Sequence, residues 1–322
     1  MFKRALWRRS ELTGSERPIV SRPPPISGVG QGLHPTRLNA MSWITEHQLP
    51  FGDFVEGIVD FLVVNFSGFF DAVSDTLSSM IHGLTDALLW VPPGALVLLL
   101  TAAAHLRHRR WGLTAFTAFS FLLIWNIGYW EDTMATLSLV LYATLLCVVI
   151  GIPLGIYAAH SRWLYKFLQP VLDLMQTIPP FVYLIPTLTL FGLGVVPGVI
   201  STVIFAIAAP VRLTHLGISQ VPKELVEAGK AFGCTNRQLL FKVELPAAMS
   251  SIGAGITQCI MLSLSMVVIA ALVGADGLGV PVVRALNTVD IGKGFEAGLA
   301  IVLLAIWMDR FFRQSDAKET SS

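Results

Sequence analysis

Val221-Pro-Lys-Glu-Leu-Val-Glu-Ala-Gly-Lys-Ala-Phe-Gly-Cys-Thr-Asn-Arg-Gln-Leu-Leu-Phe-Lys-Val-Glu-Leu-Pro246 decides how this chain is read. The stretch is polar, and apolar runs flank it on both sides. Pro222 opens a helix, because the N–H it lacks falls where no intrahelical acceptor exists. Residues 221–232 then read as a short amphipathic helix, and Gly233 supplies the positive-φ stop. Thr235 and Gln238 have the spacing of a capping box for a second helix, expected to end at or before the residue preceding Pro246. The result is a compact helix–turn–helix held outside a bilayer. The plain alternative is an ordinary helical hairpin of the kind any polytopic membrane protein has.

Working outward, the 322 residues are 54% apolar and only 13% charged, against about a quarter charged in soluble domains. Mean hydropathy is +0.67. Long rather than alternating apolar runs make this an all-α polytopic membrane protein, not a barrel. A net charge of +1 identifies no partner, and no nucleic-acid role is expected. Cys147, Cys234 and Cys259 lack paired or metal-ligand spacing and read as small space-filling residues. His105 and His108 flank a basic turn, and no metal motif accompanies them.

Spans are expected at 92–106, 111–128, 133–158, 174–193, 196–215, 252–273 and 296–312, about seven in all. Arginine and lysine orient them. Arg107, Arg109 and Arg110 lie between the first two spans, and Arg162 and Lys166 follow the third. Lys223, Lys230, Arg237 and Lys242 fill the loop after the fifth, and Arg310 and Arg313 follow the last. Every second connection is basic, which puts the 216–250 loop in the cytoplasm, the N-terminus outside and the C-terminal tail 313–322 inside. Residues 41–91 are acidic, with Phe54, Ile58, Phe61, Leu62 and Phe69 at roughly helical spacing. They read either as amphipathic helices lying at the membrane surface or as a pair packed on the core. Residues 1–40 are basic, Pro-rich and expected to be disordered, with no h-region of a secretory signal. Their charge opposes an external N-terminus, so Met41 is the expected natural start.

Catalytic chemistry is not legible. No G-x-x-x-x-G-K-[ST] loop occurs, so ATP hydrolysis is not expected of this chain, and no nucleophile elbow or acid–histidine grouping appears. Polar groups at membrane depth cost about 2.5–3.5 kcal/mol unless protein or water receives them. Asp173 opens a segment broken by Pro179, Pro180 and Pro186, which frees backbone carbonyls for a pathway. Phe181 and Tyr183 offer aromatic faces that attract a quaternary ammonium. Equally, Asp173 is a helix-end acid and the rings merely pack. Snorkelling accounts for Arg212 and His215.

The pattern E-A-G-x3-G-x9-V-x-L-P resembles the signature loop of the membrane subunits of ABC importers, with Gly229 and Val243 as small departures from the usual alanine and isoleucine. Gly151-Ile-Pro-Leu-Gly-Ile, Leu172-Asp-Leu-Met-Gln-Thr-Ile-Pro-Pro-Phe-Val-Tyr-Leu-Ile-Pro, Pro197-Gly-Val, Phe241-Lys-Val-Glu-Leu-Pro and Leu262-Ser-Leu-Ser-Met-Val-Val-Ile-Ala are similar to permeases of glycine betaine/proline and choline importers. The similarity is strong over 130–312 and loose over 41–130. The short acidic N-terminal part looks closer to the choline type. This resemblance implies a type I importer transmembrane domain with its core at about 133–312 within a permease domain 92–312. It also implies an osmoprotective or amino-acid transport role in the bacterial inner membrane. Implied partners are a second permease chain, an ABC ATPase subunit that holds ATP and Mg, and an external or periplasmic substrate-binding protein. Glu227, Ala228 and Gly229 would contact the ATPase, Gly233 would permit the turn, and Leu245-Pro246 would fix the return into the sixth span. Two other readings remain open: an ion-gradient-driven secondary transporter, and an ABC importer of another small solute.

Overall fold

The computed structural model describes residues 51–313, which are helical with no strand among them. The expectations for residues 1–40 and for the start at Met41 lie outside the described residues, as does nearly all of the 313–322 tail. Helix α1 (Phe51–Trp90) runs 40 residues, with a non-helical break at Phe66 (φ −128°, ψ 18°). Its later half is anchored. Ile81 is buried, Ser74 Oγ donates to the Phe191 carbonyl at 3.3 Å, and Phe70 meets Phe191 edge-on at 5.3 Å. The earlier half leaves Phe54, Phe61, Phe66 and Phe69 exposed. By length and apolarity this helix also suffices to cross a bilayer, a possibility that the acids had masked.

Helices α2 (Pro93–His108) and α3 (Trp111–Asn126) form a hairpin turned by Arg109 in the left-handed region at φ 49°. His105 braces it, with Nδ1 against Thr114 Oγ1 at 3.0 Å. Each has 16 residues, about 24 Å of helix against a hydrocarbon core of about 30 Å. Among the described residues five helices pass on length and apolarity, or six when one bent pair counts as a span.

The centre is built by α4 (Trp130–His160), α7 (Val195–Ala206), α8 (Ala208–Ser219) and α11 (Leu245–Ala271). Met134, Leu139, Val140, Val199, Ile260 and Val267 are buried where they meet. Lipid is as apolar as leucine, so close van der Waals approach rather than water exclusion holds such helices together. Gly155 provides that approach. A Cβ there would stand 2.7 Å from both Thr214 Cβ and the Val211 carbonyl oxygen. The last helix, α13 (Ile291–Phe312), covers this core, its Trp307 edge-on to Phe121 at 5.0 Å.

The span expected at 174–193 is not one helix. Helices α5 (Arg162–Thr177) and α6 (Pro180–Phe191) meet at a 96° bend. Consecutive prolines at 179 and 180 remove two N–H donors, and a residue before proline is pushed out of the α region. Ile178 accordingly sits at φ −66°, ψ 129°, and its N–H to the Leu174 carbonyl is the last bond of α5.

Candidate coupling loop and proline-broken segment

Pro222 caps helix α9 (Lys223–Ala231) from outside. Its C-terminus closes as the sequence requires. Gly233 adopts φ 77°, its N–H bonds the Lys230 carbonyl at 2.9 Å, and the Cys234 N–H bonds the Gly229 carbonyl at 3.1 Å. These paired bonds are the Schellman pattern, which needs a left-handed residue between them. The Thr235–Gln238 capping box is present in both directions. Gly229 and Val243 belong to one contact. A Cβ on Gly229 would meet Leu239 Cδ1 at 2.8 Å and Val243 Cγ2 at 3.5 Å. The two departures from the family pattern are therefore neighbours in space.

Pro246 does not end the second helix. Helix α10 covers only Asn236–Leu239, and a π-turn over Leu240–Glu244 carries the chain straight into α11. The wide turn gives the Leu245 N–H an acceptor at Leu240, and Pro246 falls in the first turn of α11, where its missing donor is harmless. Loop and span are thus mechanically continuous.

Glu227, Ala228 and Leu225 are exposed on α9, as are Phe232 at its C-cap and Phe241 in the π-turn. Phe232 is 89% accessible, and an apolar ring displayed in a polar loop was a signal that the motif spacing overshadowed. Glu244 is the other unforeseen residue. It is buried, and its Oε2 lies 3.0 Å from His160 Nε2 at the end of α4. The His160 Nδ1 faces the Ile156 carbonyl at 2.9 Å. Both ring nitrogens thus lie within hydrogen-bonding distance of oxygens, one on α4 itself and one at the end of the loop.

At the bend, Tyr183 reaches back from α6 to α5. Its hydroxyl donates to the Met175 carbonyl at 2.8 Å, the acceptor that Pro179 leaves without its i+4 donor. Asp173 turns elsewhere, into an ion pair with Arg212 of α8. Tyr165 stacks flat on His215 at 3.6 Å beside it. Phe181 is exposed. Phe181 and Tyr183 therefore lie at the bend, while Asp173 sits one turn earlier on α5 and already has a cationic partner in Arg212. Tyr183→Phe is expected to lower stability by about 1 kcal/mol through the lost hydrogen bond. Tyr183→Ala is expected to lower it further, because the contacts of the half-buried ring are lost as well. Denaturation of the purified protein measures both.

Among the described residues no group of three or more His, Cys, Asp or Glu is placed to hold a metal. Cys147 and Cys259 are buried free thiols.

Long apolar helices packed on small residues, with a proline-broken segment and an exposed capped loop, define a polytopic helical membrane protein. The chain belongs to the family of binding-protein-dependent transport system inner membrane components, which matches residues 151–320. It is 45% identical over 274 residues to the glycine betaine transport system permease protein OpuAB of Bacillus subtilis, covering 85% of this chain and 97% of that one. Against the glycine betaine/carnitine transport permease protein GbuB of Listeria monocytogenes it is 46% identical, covering 85% and 98%. The choline transport system permease protein OpuBD of Bacillus subtilis is 32% identical over 189 residues, 56% of this chain. A 274-residue match reaches into the acidic N-terminal part, so that part does not set the chain closer to the choline type. A solved inward-facing structure of the MetNI methionine ABC transporter shares 21% identity over 53% of this chain and 86% of its own, with a TM-score of 0.49.

Proposed function

We propose that this chain is the permease of an ATP-driven importer of quaternary ammonium osmoprotectants, with glycine betaine as its principal substrate. The observation that carries the reading is the 216–250 loop. It presents Glu227, Ala228 and the Gly233 turn outward, and its π-turn runs without interruption into α11. Motion imposed on the loop by a separate ATPase, which would hold ATP and Mg, is thereby transmitted to the core. Leu245-Pro246 sits at the junction, and the His160–Glu244 pair ties the same point to α4. Relatives named as glycine betaine permeases support the substrate, and their coverage of this chain exceeds that of the choline permease. Two copies of the permease, two ATPases and an external binding protein complete the assembly. The bend bearing Asp173, Phe181 and Tyr183 would border the path, where rings attract a quaternary ammonium.

The test is competition in cells expressing the complete system. Labelled glycine betaine uptake is expected to fall with unlabelled glycine betaine at far lower concentration than with choline or proline. Equal competition by an unrelated solute, or none by glycine betaine, contradicts the substrate.

Orientation follows from the basic connections. Cysteines placed at Asp75 and Glu131 are expected to react with an impermeant reagent outside intact cells, while those at Arg109 and Lys230 stay protected. External labelling at position 230 overturns the topology.

A further inference from the structure

Helix α4 has 31 residues, so its ends stand roughly 45 Å apart. Its His160 end is tied to the coupling loop. At the other end, Thr136 Oγ1 accepts the Leu278 N–H at 2.8 Å, joining α4 to the segment that leads into α12 (Gly279–Thr288). A cavity of about 340 Å³ lies at this junction. Its lining draws Tyr129 and Asp132 from the start of α4, Arg284 and Pro281 from α12, and Lys293 from the first turn of α13.

The charges on this lining are not used up by the protein. Lys293 leans on Asp290 at 3.8 Å. Among the described residues, however, neither Asp132 nor Arg284 closes an ion pair. Asp132 is half-buried, which makes an uncompensated carboxylate more costly and a cation beside it more welcome. The Tyr129 end is electronegative. Burial first, and then the carboxylates of Glu296, Asp132 and Asp290, push its phenol above the ordinary tyrosine range. One cavity therefore combines an aromatic ring with a carboxylate and a guanidinium that sense each other's charge without closing an ion pair.

We propose that this cavity is a solute-binding site on the permease itself, at the end away from the coupling loop, for a small zwitterion carrying a quaternary ammonium and a carboxylate. The ammonium lies against the Tyr129 ring and Asp132, which attract it without needing a hydrogen bond. The carboxylate meets Arg284, whose fork donates to both of its oxygens. The volume sits at the lower limit of small-molecule sites, about 300 Å³, which suits a solute of few heavy atoms. The inference rests on the substrate reading above and adds a place where solute released from the binding protein is held. The competing occupant is a loop of the binding protein seated in the same cavity.

The experiment is equilibrium binding of labelled glycine betaine and labelled choline to the permease–ATPase complex in nanodiscs, with the binding protein omitted. Saturable glycine betaine binding is expected. Arg284→Gln is expected to weaken it by about tenfold, one charge-assisted contact, and to leave choline, which has no carboxylate, unchanged. Asp132→Asn is expected to weaken both. Arg284 is exposed, so its replacement leaves packing intact; should that variant fail to assemble, Arg284→Lys is read instead, with a smaller loss confined to glycine betaine. No saturable binding, or binding that every variant leaves unchanged, overturns the proposal. Weakened docking of the binding protein with unchanged solute binding also overturns it and assigns the cavity to protein. Uptake by the complete wild-type system separates the two levels. Glycine betaine transport without binding here removes the cavity site alone, whereas absence of quaternary ammonium transport removes the substrate reading first.

Discussion

Gly233→Val is expected to cut ATP-driven transport by tenfold or more while the chain still inserts and accumulates. The backbone at 233 has φ 77°, a region that costs an L-residue about 1–2 kcal/mol and a β-branched one more. Nothing lies within 4 Å of a Cβ built there, so a clash plays no part and the penalty is purely conformational. The strained loop relieves itself by opening the Schellman turn, which releases α9 from the Leu239 and Val243 side chains it packs against. A loss of about 1.4 kcal/mol at the docking surface is tenfold in ATPase affinity. Gly233→Asn, which tolerates the left-handed region, is expected to retain most activity. Glu227→Lys reverses a charge without touching the turn and should also reduce ATPase co-purification. Undiminished co-purification with normal transport in both variants removes the docking role from this loop.

Gly155→Val is expected to fail earlier, at folding. A Cβ at this position stands 2.7 Å from the backbone carbonyl of Val211, which belongs to a buried helix and has no side-chain freedom to yield. Helices α4 and α8 must part by the difference, and the buried contacts around Val211 and Cys147 are lost with it. Overpacking of this kind costs about 1–3 kcal/mol in soluble cores. A membrane core held by close packing has less to fall back on. Gly155→Ala is expected to show a smaller but clear drop in thermal stability. By contrast, Gly229→Ala crowds the tip of the flexible Leu239 side chain, with Val243 Cγ2 at an ordinary contact distance of 3.5 Å, and is expected to be nearly neutral. Size-exclusion profiles and melting of the three detergent-purified variants rank them directly, and equal stability of Gly155→Val and Gly229→Ala would contradict the packing account.

Local rules carried well wherever the signal was local. Pro222, Gly233 and the Thr235–Gln238 box each act within a few residues, so their spacing named the caps that form. Apolar runs likewise located α4, α7 with α8, α11 and α13. Pro246 misled, because a proline ends a helix only if the preceding turn stays α-helical; a π-turn sidesteps the conflict. The 174–193 run misled for the opposite reason. Hydropathy averages over Pro179-Pro180 and sees one apolar segment where the backbone turns through 96°. Long-range partners were beyond reach altogether. Nothing in the spacing of Asp173 and Arg212, or of His160 and Glu244, declares that they meet. Those pairings arise from how α5 lies on α8 and α4 on the loop.

Proteoliposomes holding the permease, its ATPase and the external binding protein, with ATP either enclosed or absent, test the central claim most directly. Labelled glycine betaine is expected to accumulate only when ATP faces the ATPase, and to go on accumulating when ionophores collapse every ion gradient. Accumulation that needs an ion gradient and ignores ATP would contradict the account and make this chain a secondary transporter.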